Sequence, residues 1–169
     1  VGPLRFRCVD ARGHDPFHCA WIEEREGWLF SGDVVLAVPT PLVRRMGDDP
    51  GRWLGTLRRW SAGDDSLTLF PGHGVPTRMY RASIERSWAS FSRVHDTLAA
   101  SLLRGGVAPM SVTRALLPND ASQFGARTST LLSMIETLLL LGEEQGWARR
   151  DASGWWSDDV PTVDELATD

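Results

Sequence analysis

The chain is short of cysteine. Only Cys8 and Cys19 occur, with no C-x-x-C pair and no zinc-finger spacing, which argues against a disulfide framework and against a cysteine-based zinc module. The expectation is two reduced, partly buried thiols in a cytoplasmic protein. Long hydrophobic runs are missing as well. The longest, in "TLLLLGEE" from Thr137, stops after four leucines, far short of the ~20 apolar residues of a membrane span. The opening "VGPLRFRCVD" lacks the apolar core of a signal peptide. Nor is there an excess of positive charge. The formal net charge is −4, whereas a chain that dedicates a face to nucleic acid is usually basic, so nucleic acid and membrane are both disfavoured as partners.

What is present is ordinary for a globular protein: 42% hydrophobic and 24% charged residues in a chain of 169, enough for one sizeable core or two small ones. "LRFRC" from Leu4 alternates apolar and basic residues and predicts a half-buried strand. "HCAWIEE" from His18 predicts a second, and "WLFSGD" from Trp28 a third, joined by a turn at Gly27 as a hairpin. Asp48, Asp49 and Pro50 make a helix start, Trp53, Leu54, Leu57 and Trp60 follow at helical spacing, and Gly63 closes the helix. "SLTLF" from Ser66 is a fourth strand running into "PGHG". The order is that of an α/β (α+β) layered unit.

From about residue 79 the pattern becomes helical. Ile84, Trp88, Phe91, Leu98 and Leu102 share one face of a long helix ended by Gly105 and Gly106. Ser111 is placed to cap a short helix with Val112, Ala115 and Leu116 inward, and a loop with Pro118, Asn119, Asp120 and Gly125 follows. Leu131, Ile135, Leu138 and Leu139 mark a third helix closed near Gly146. "WARRDASGWWS" from Trp147 reads as a hairpin around Ser153 and Gly154, and the tail from Asp158 is acidic. Helix, helix, helix, hairpin is the order of a winged helix.

The stretch "LFSGDVVL" from Leu29 sets a carboxylate, Asp33, at a strand end between apolar residues. An Asp there is costly unless it turns the chain, is paired, or binds a metal. His14 and His18 lie in "GHDPFH" and His73 in "PGHG", each beside glycine or proline in a loop at a strand end. Imidazole, carboxylate and imidazole are donors that a borderline metal such as zinc accepts. Each element also has a plain reading: a solvated loop histidine, an Asp-capped turn, a tight glycine turn. His95, on the long helix, reads as structural.

These elements, Gly13–His14, then Gly32–Asp33 at a hairpin end, then a helix, then Pro71 through Gly74, resemble the metallo-β-lactamase-fold hydrolases. The closer likeness is to the branch of glyoxalase II-like thioesterases and lactamase-like proteins with a C-terminal winged helix. The steps from position 14 to 33 (19) and from 33 to 73 (40) suit that branch. The resemblance implies the C-terminal half of an αββα sandwich over residues 1–78 and a helical winged-helix-like domain over residues 79–169. It implies metal ligation by His14, Asp33 and His73, with Asp33 bridging two metals and therefore catalytic. His18 and Asp15 would act on the substrate or behind the ligands.

One departure is large. The family's first metal motif, His-x-His-x-Asp-His, occurs nowhere in this sequence. The three ligands present serve two different metals, so a working site requires the other half of the fold, as a separate or cleaved chain or as sequence lost by truncation. A half-fold exposes a sheet edge and an apolar face, which favours such a partner. Arg12, Asp15 and Phe17 stand where the family commonly has proline, a hydroxyl residue and glycine. The implied chemistry is hydrolysis of a small acyl substrate, a thioester or other carboxylic ester such as a lactone, by a hydroxide held between two zinc ions, with iron or manganese as other metals such sites take. The alternatives are a phosphodiesterase of the same fold, or a non-enzymatic winged-helix binding protein in which Arg149 and Arg150 touch phosphates.

Overall fold

The computed structural model describes residues 2–36, 49–63, 65–117 and 125–168. Asp48 and the loop residues Pro118, Asn119 and Asp120 lie outside the described residues. The chain divides into two compact units: one runs through the sheet to Phe91 and takes back the chain end from Leu166, and the other is Ser92–Glu165.

The first unit holds a four-stranded sheet in the order β1 (Phe6–Asp10), β2 (Cys19–Glu23), β3 (Trp28–Gly32), β4 (Thr68–Pro71). β1 and β2 are antiparallel, β2 and β3 are antiparallel, and β3 and β4 are parallel. The parallel step needs a crossover, and helix α1 (Pro50–Ser61) lies within it. Asp49 caps α1 through Oδ1, which accepts from the Arg52 amide at 3.0 Å, and Pro50 opens its first turn. β1 begins two residues later than the alternation suggested, because pairing with β2 runs from Phe6↔Glu23 to Asp10↔Cys19.

Alternation gives the sheet two unlike faces. Ala20, Leu29, Ser31 and Leu69 on one face are fully or almost fully buried, as are Trp53, Leu54 and Leu57 of α1. The opposite face carries an aromatic row: Phe6 and Phe30 at 6.0 Å between centroids, Phe30 stacked on Phe70 at 4.9 Å, and Trp28 with Phe70 at 5.7 Å. Phe6 and Trp21 there are 41% and 45% exposed. Cys8 and Cys19 share this face and are both exposed, which corrects the expectation of partly buried thiols. They pair with Trp21 and Asp10 on the outward side, whereas Val9 and Ala20 point the other way.

Trp53 ties the core to the site loop. Its Nε1 donates to the Val34 carbonyl at 3.0 Å and its ring meets Phe91 at 5.6 Å. Trp53→Phe is expected to cost about 2 kcal/mol, since it leaves a buried carbonyl unpaired and a small void. Urea unfolding with an unchanged slope would show this, and a cost below about 0.5 kcal/mol would contradict it.

The long helix α2 spans Tyr80–Leu102. Ile84, Phe91, Leu98 and Leu102 are buried as the periodicity requires, but Trp88 is half-buried beneath the guanidinium of Arg58 at 6.0 Å. The second unit adds α3 (Pro109–Leu116), α4 (Ala126–Gln145), and the hairpin β5 (Arg149–Asp151) and β6 (Gly154–Trp156); a short helix α5 (Val163–Leu166) comes last in the chain. Ser111 does not cap α3. Ala108 holds that position and Pro109 opens the helix, while Ser111 Oγ donates back to the Ala108 carbonyl at 2.6 Å. Val112 is buried as expected, with Thr113 beside it, and Ala115 faces out. α4 ends at Gly146 in the left-handed region (φ 84°). No helix among the described residues is long and apolar enough to cross a membrane.

Candidate metal centre

Three loops at one end of the four-stranded sheet bring the candidate residues together. The first joins β1 to β2 and carries His14, Asp15 and His18. It is fastened to α1 at two carbonyls: Thr56 Oγ1 donates to Arg12 O at 3.2 Å, and the Asp49 amide donates to Gly13 O at 2.7 Å. Gly13 itself (φ 129°) lies against the Trp53 backbone, leaving no room for a side chain. Asp15 folds the loop on itself. Its Oδ1 accepts from the Phe17 amide at 2.8 Å, and its carbonyl accepts from the amides of Gly13 at 3.3 Å and His18 at 3.2 Å.

The second and third loops follow β3 and β4. The Gly72 amide donates to the Gly32 carbonyl at 2.7 Å, which sets "GHG" beside "GD". Gly32 has φ 54°, and a Cβ on it would lie 2.5 Å from His18 Nε2. A Cβ on Gly72 would overlap Asp33 Oδ1. Both glycines are therefore needed for close approach, which sequence patterning suggested only in general terms.

Within this frame His14 Nε2 stands 3.8 Å from Asp33 Oδ2, and His73 Nε2 stands 3.7 Å from Asp33 Oδ1. One carboxylate thus has an imidazole at each oxygen. The gaps are too long for hydrogen bonds. They are wide enough to admit a cation, and a little wider than the ~3.4 Å that two bonds of about 2.0–2.2 Å span at a tetrahedral angle. His14 is largely covered, Asp33 is about one third exposed, and His73 is open, with side-chain exposures of 19%, 35% and 73%. Among the described residues no three His, Cys, Asp or Glu side chains converge closely enough to hold one ion. Imidazole and carboxylate are donors that fit a borderline metal such as zinc, and each of the two gaps offers one of each. His14 Nδ1 is buried without a hydrogen-bond partner among the described residues. A ligating imidazole usually donates that proton to an acceptor behind it.

His18 stands beside this trio rather than in it. Its ring lies 6.0 Å from that of His14, edge to face, and its Nε2 is 3.1 Å from the Ser31 carbonyl. His95 belongs to the second unit, is almost fully buried on α2, and has its pKa lowered by burial. Arg149 and Arg150 lie over the rings of Trp156 and Trp155 at 5.0 and 5.7 Å.

One pair was not singled out from sequence. Asp10, at the end of β1, takes a two-pronged contact from Arg12, with Nε to Oδ1 at 2.8 Å and Nη2 to Oδ2 at 2.6 Å. These bonds hold the Asp10 carboxyl well below the usual carboxylate range. A depressed carboxyl stabilises the fold fully above its unfolded value near 4 and loses that contribution as the pH falls below it. Both side chains are more than 40% exposed, so the contribution is expected to stay under about 1 kcal/mol. Arg12→Ala should flatten the fall in stability between about pH 4 and pH 2, as followed by thermal midpoints. An unchanged acid limb would show that the pair contributes nothing.

No family model matches this chain, and no curated protein matches it. Solved structures do. A metallo-beta-lactamase family protein from Thermus thermophilus superposes with a TM-score of 0.70 at 22% identity, over 93% of this chain and 50% of its own. A beta-lactamase domain protein from Burkholderia ambifaria gives 0.71 at 22%, over 93% of this chain and 49% of its own. The chain therefore spans about half the length of the structures it matches. At this identity the likeness establishes the fold alone: the mixed α/β architecture described above is that of a metallo-β-lactamase-type structure.

Proposed function

We propose that this chain is the Asp33-bearing half of a metal-dependent hydrolase that cleaves a thioester or another carboxylic ester. One observation carries the reading: the Asp33 carboxylate with His14 Nε2 facing one oxygen and His73 Nε2 facing the other, at 3.8 and 3.7 Å. Bound there, a pair of zinc ions would supply an acidified water and an electrophile for the substrate carbonyl. The chain's own residues hold and orient. Asp33 supplies the negative charge that two neighbouring cations need. His14, the most covered of the three, fixes its position through a loop pinned to α1. His73, the most exposed, faces the side from which substrate arrives.

The donors still required belong to the other half of the fold, which packs on the aromatic face of the sheet. The helical unit, with its order of helices and a terminal hairpin, is winged-helix-like on this reading. The non-enzymatic winged-helix reading draws no support from Arg149 and Arg150, whose guanidinium groups lie over tryptophan rings.

Native mass spectrometry of the protein purified from its source, with metal analysis of the same sample, tests the proposal. The expected result is this sequence associated with the other half, about two metal ions per pair, and turnover of acyl thioesters. This chain alone and metal-free would overturn it. Turnover of RNA in place of thioesters would overturn the acyl assignment.

A further inference from the structure

The second unit contains a cavity of about 360 Å³ that the proposed hydrolysis does not use. Its lining comes from α3, α4 and the hairpin. Glu136, Leu139 and Leu140 form one stripe along α4, at the spacing that sets side chains on a common face. Arg150 and Trp155 are opposite each other in the hairpin, and Pro109 opens α3. Backbone bonds tie these walls together. Val107, two residues before Pro109, exchanges both of its backbone hydrogen bonds with Trp155, each at 2.9 Å. The Ala148 amide, just before β5, donates to the Gly142 carbonyl of α4 at 3.0 Å. The cavity is therefore built on fixed elements, as a binding site requires.

The lining is divided by chemistry. Pro109, Leu139, Leu140 and Trp155 are apolar, and Leu139 and Trp155 are buried. Glu136 and Arg150 carry opposite charges into the same cavity, yet they do not pair with each other. Among the described residues the half-buried Glu136 side chain makes no ion pair or hydrogen bond. A carboxylate beside apolar surface with no partner is costly, and a ligand cation would relieve that cost. The Arg150 guanidinium lies over the Trp155 ring at 5.7 Å. Such a contact steadies the group through its charge, while its N–H donors lie in its plane and suit a carboxylate.

We propose that this cavity binds a small zwitterion with an apolar body, an α-amino acid or dipeptide with branched or aromatic side chains. The ammonium group meets Glu136, the carboxylate meets Arg150, and the apolar body lies on Leu139, Leu140 and Trp155. A ligand with one charge would leave the opposite lining group unpaired beside apolar surface, so both charges are required. The volume is near the lower end of the roughly 300–1,000 Å³ of small-molecule sites, which suits a ligand of this size. Nothing in this assignment rests on the metal centre, whose residues belong to the first unit.

The test titrates the full chain with L-leucine, L-phenylalanine and leucyl-leucine, followed by calorimetry and ligand-observed NMR. Saturable binding of at least one of the three is expected. The N-acetyl and carboxamide derivatives of that compound, which remove one charge each, should bind about tenfold more weakly or worse. Glu136→Gln should abolish the preference for the free amine, and Arg150→Gln the preference for the free carboxylate, each weakening the parent compound by about tenfold. Tighter binding of a single amino acid than of leucyl-leucine assigns the site to free amino acids, and the reverse order assigns it to peptides. No saturable binding of any of the three would overturn the proposal. So would derivatives that bind as well as the parent compounds, a result that needs no variant to fold. Binding unchanged by both substitutions would place the ligand elsewhere and overturn it as well. A failure of metal binding leaves all of these readouts in place, so the two proposals fail separately.

Discussion

On the proposed function, Asp33→Ala is expected to abolish metal binding and to lower hydrolysis by about three orders of magnitude or more. Asp33 is the carboxylate within 4 Å of both His14 and His73. Without it, the set His14, Asp33 and His73 would offer the proposed ions no anionic donor. Asn at the same position keeps the shape and loses the charge, so Asp33→Asn separates the two contributions: metal loss with Asn as complete as with Ala would place the effect in the charge. His73→Ala should be milder, removing one ion and leaving the other on His14 and Asp33. Metal content by elemental analysis, read beside the rate, distinguishes the three. Asp33 is about one third exposed, so the variants should unfold within about 0.5 kcal/mol of the metal-free parent. Full metal content in Asp33→Ala would remove the basis of the proposed function.

Much of this site was legible from local pattern. Asp33 could be placed at a strand end because apolar alternation runs up to it and breaks there, and Asp49 with Pro50 announced α1 because capping is a local interaction. His14, Asp33 and His73 could be proposed as a set because each followed a strand and was flanked by glycine. What could not be read depends on which face another element covers. Alternation shows that Cys8 and Val9 point to opposite sides, but only the packing of α1 decides that Val9 faces inward. Ser111 looked like a cap because its hydroxyl is suited to one, yet Pro109 had already opened the helix. Glu23 gave no signal as a buried carboxylate. It is fully covered and accepts from the amides of Arg25 and Glu26 in the β2–β3 turn and of Arg5 just before β1, bonds that also lower its pKa.

The largest loss of stability from a single methyl group is expected at Gly13. A Cβ there would overlap Trp53 N and Cα and lie 2.6 Å from Trp53 Cβ, and the residue sits at φ 129°. The backbone conformation alone costs an alanine about 1–3 kcal/mol. The collision adds to this, because the obstacle is helix backbone that cannot rotate away, and the sum for Gly13→Ala is expected to be about 4 kcal/mol. Gly27→Ala is the control. It has a positive φ of 65° in the same unit, but the nearest atom to its Cβ, Leu67 Cδ2, is 3.8 Å off, so it should show the conformational cost with no collision. Urea unfolding of both variants gives the difference directly, and equal losses would mean that the contact with Trp53 yields freely. The same contact explains why His14 is the most covered of His14, Asp33 and His73. Gly13 lets the loop lie flat on α1, where Thr56 and Asp49 hold its carbonyls. A methyl group that lifts the loop must therefore move His14 away from Asp33 as well. On the proposed function, Gly13→Ala should lose metal affinity beyond what its lost stability explains, measured at a temperature where the variant remains folded.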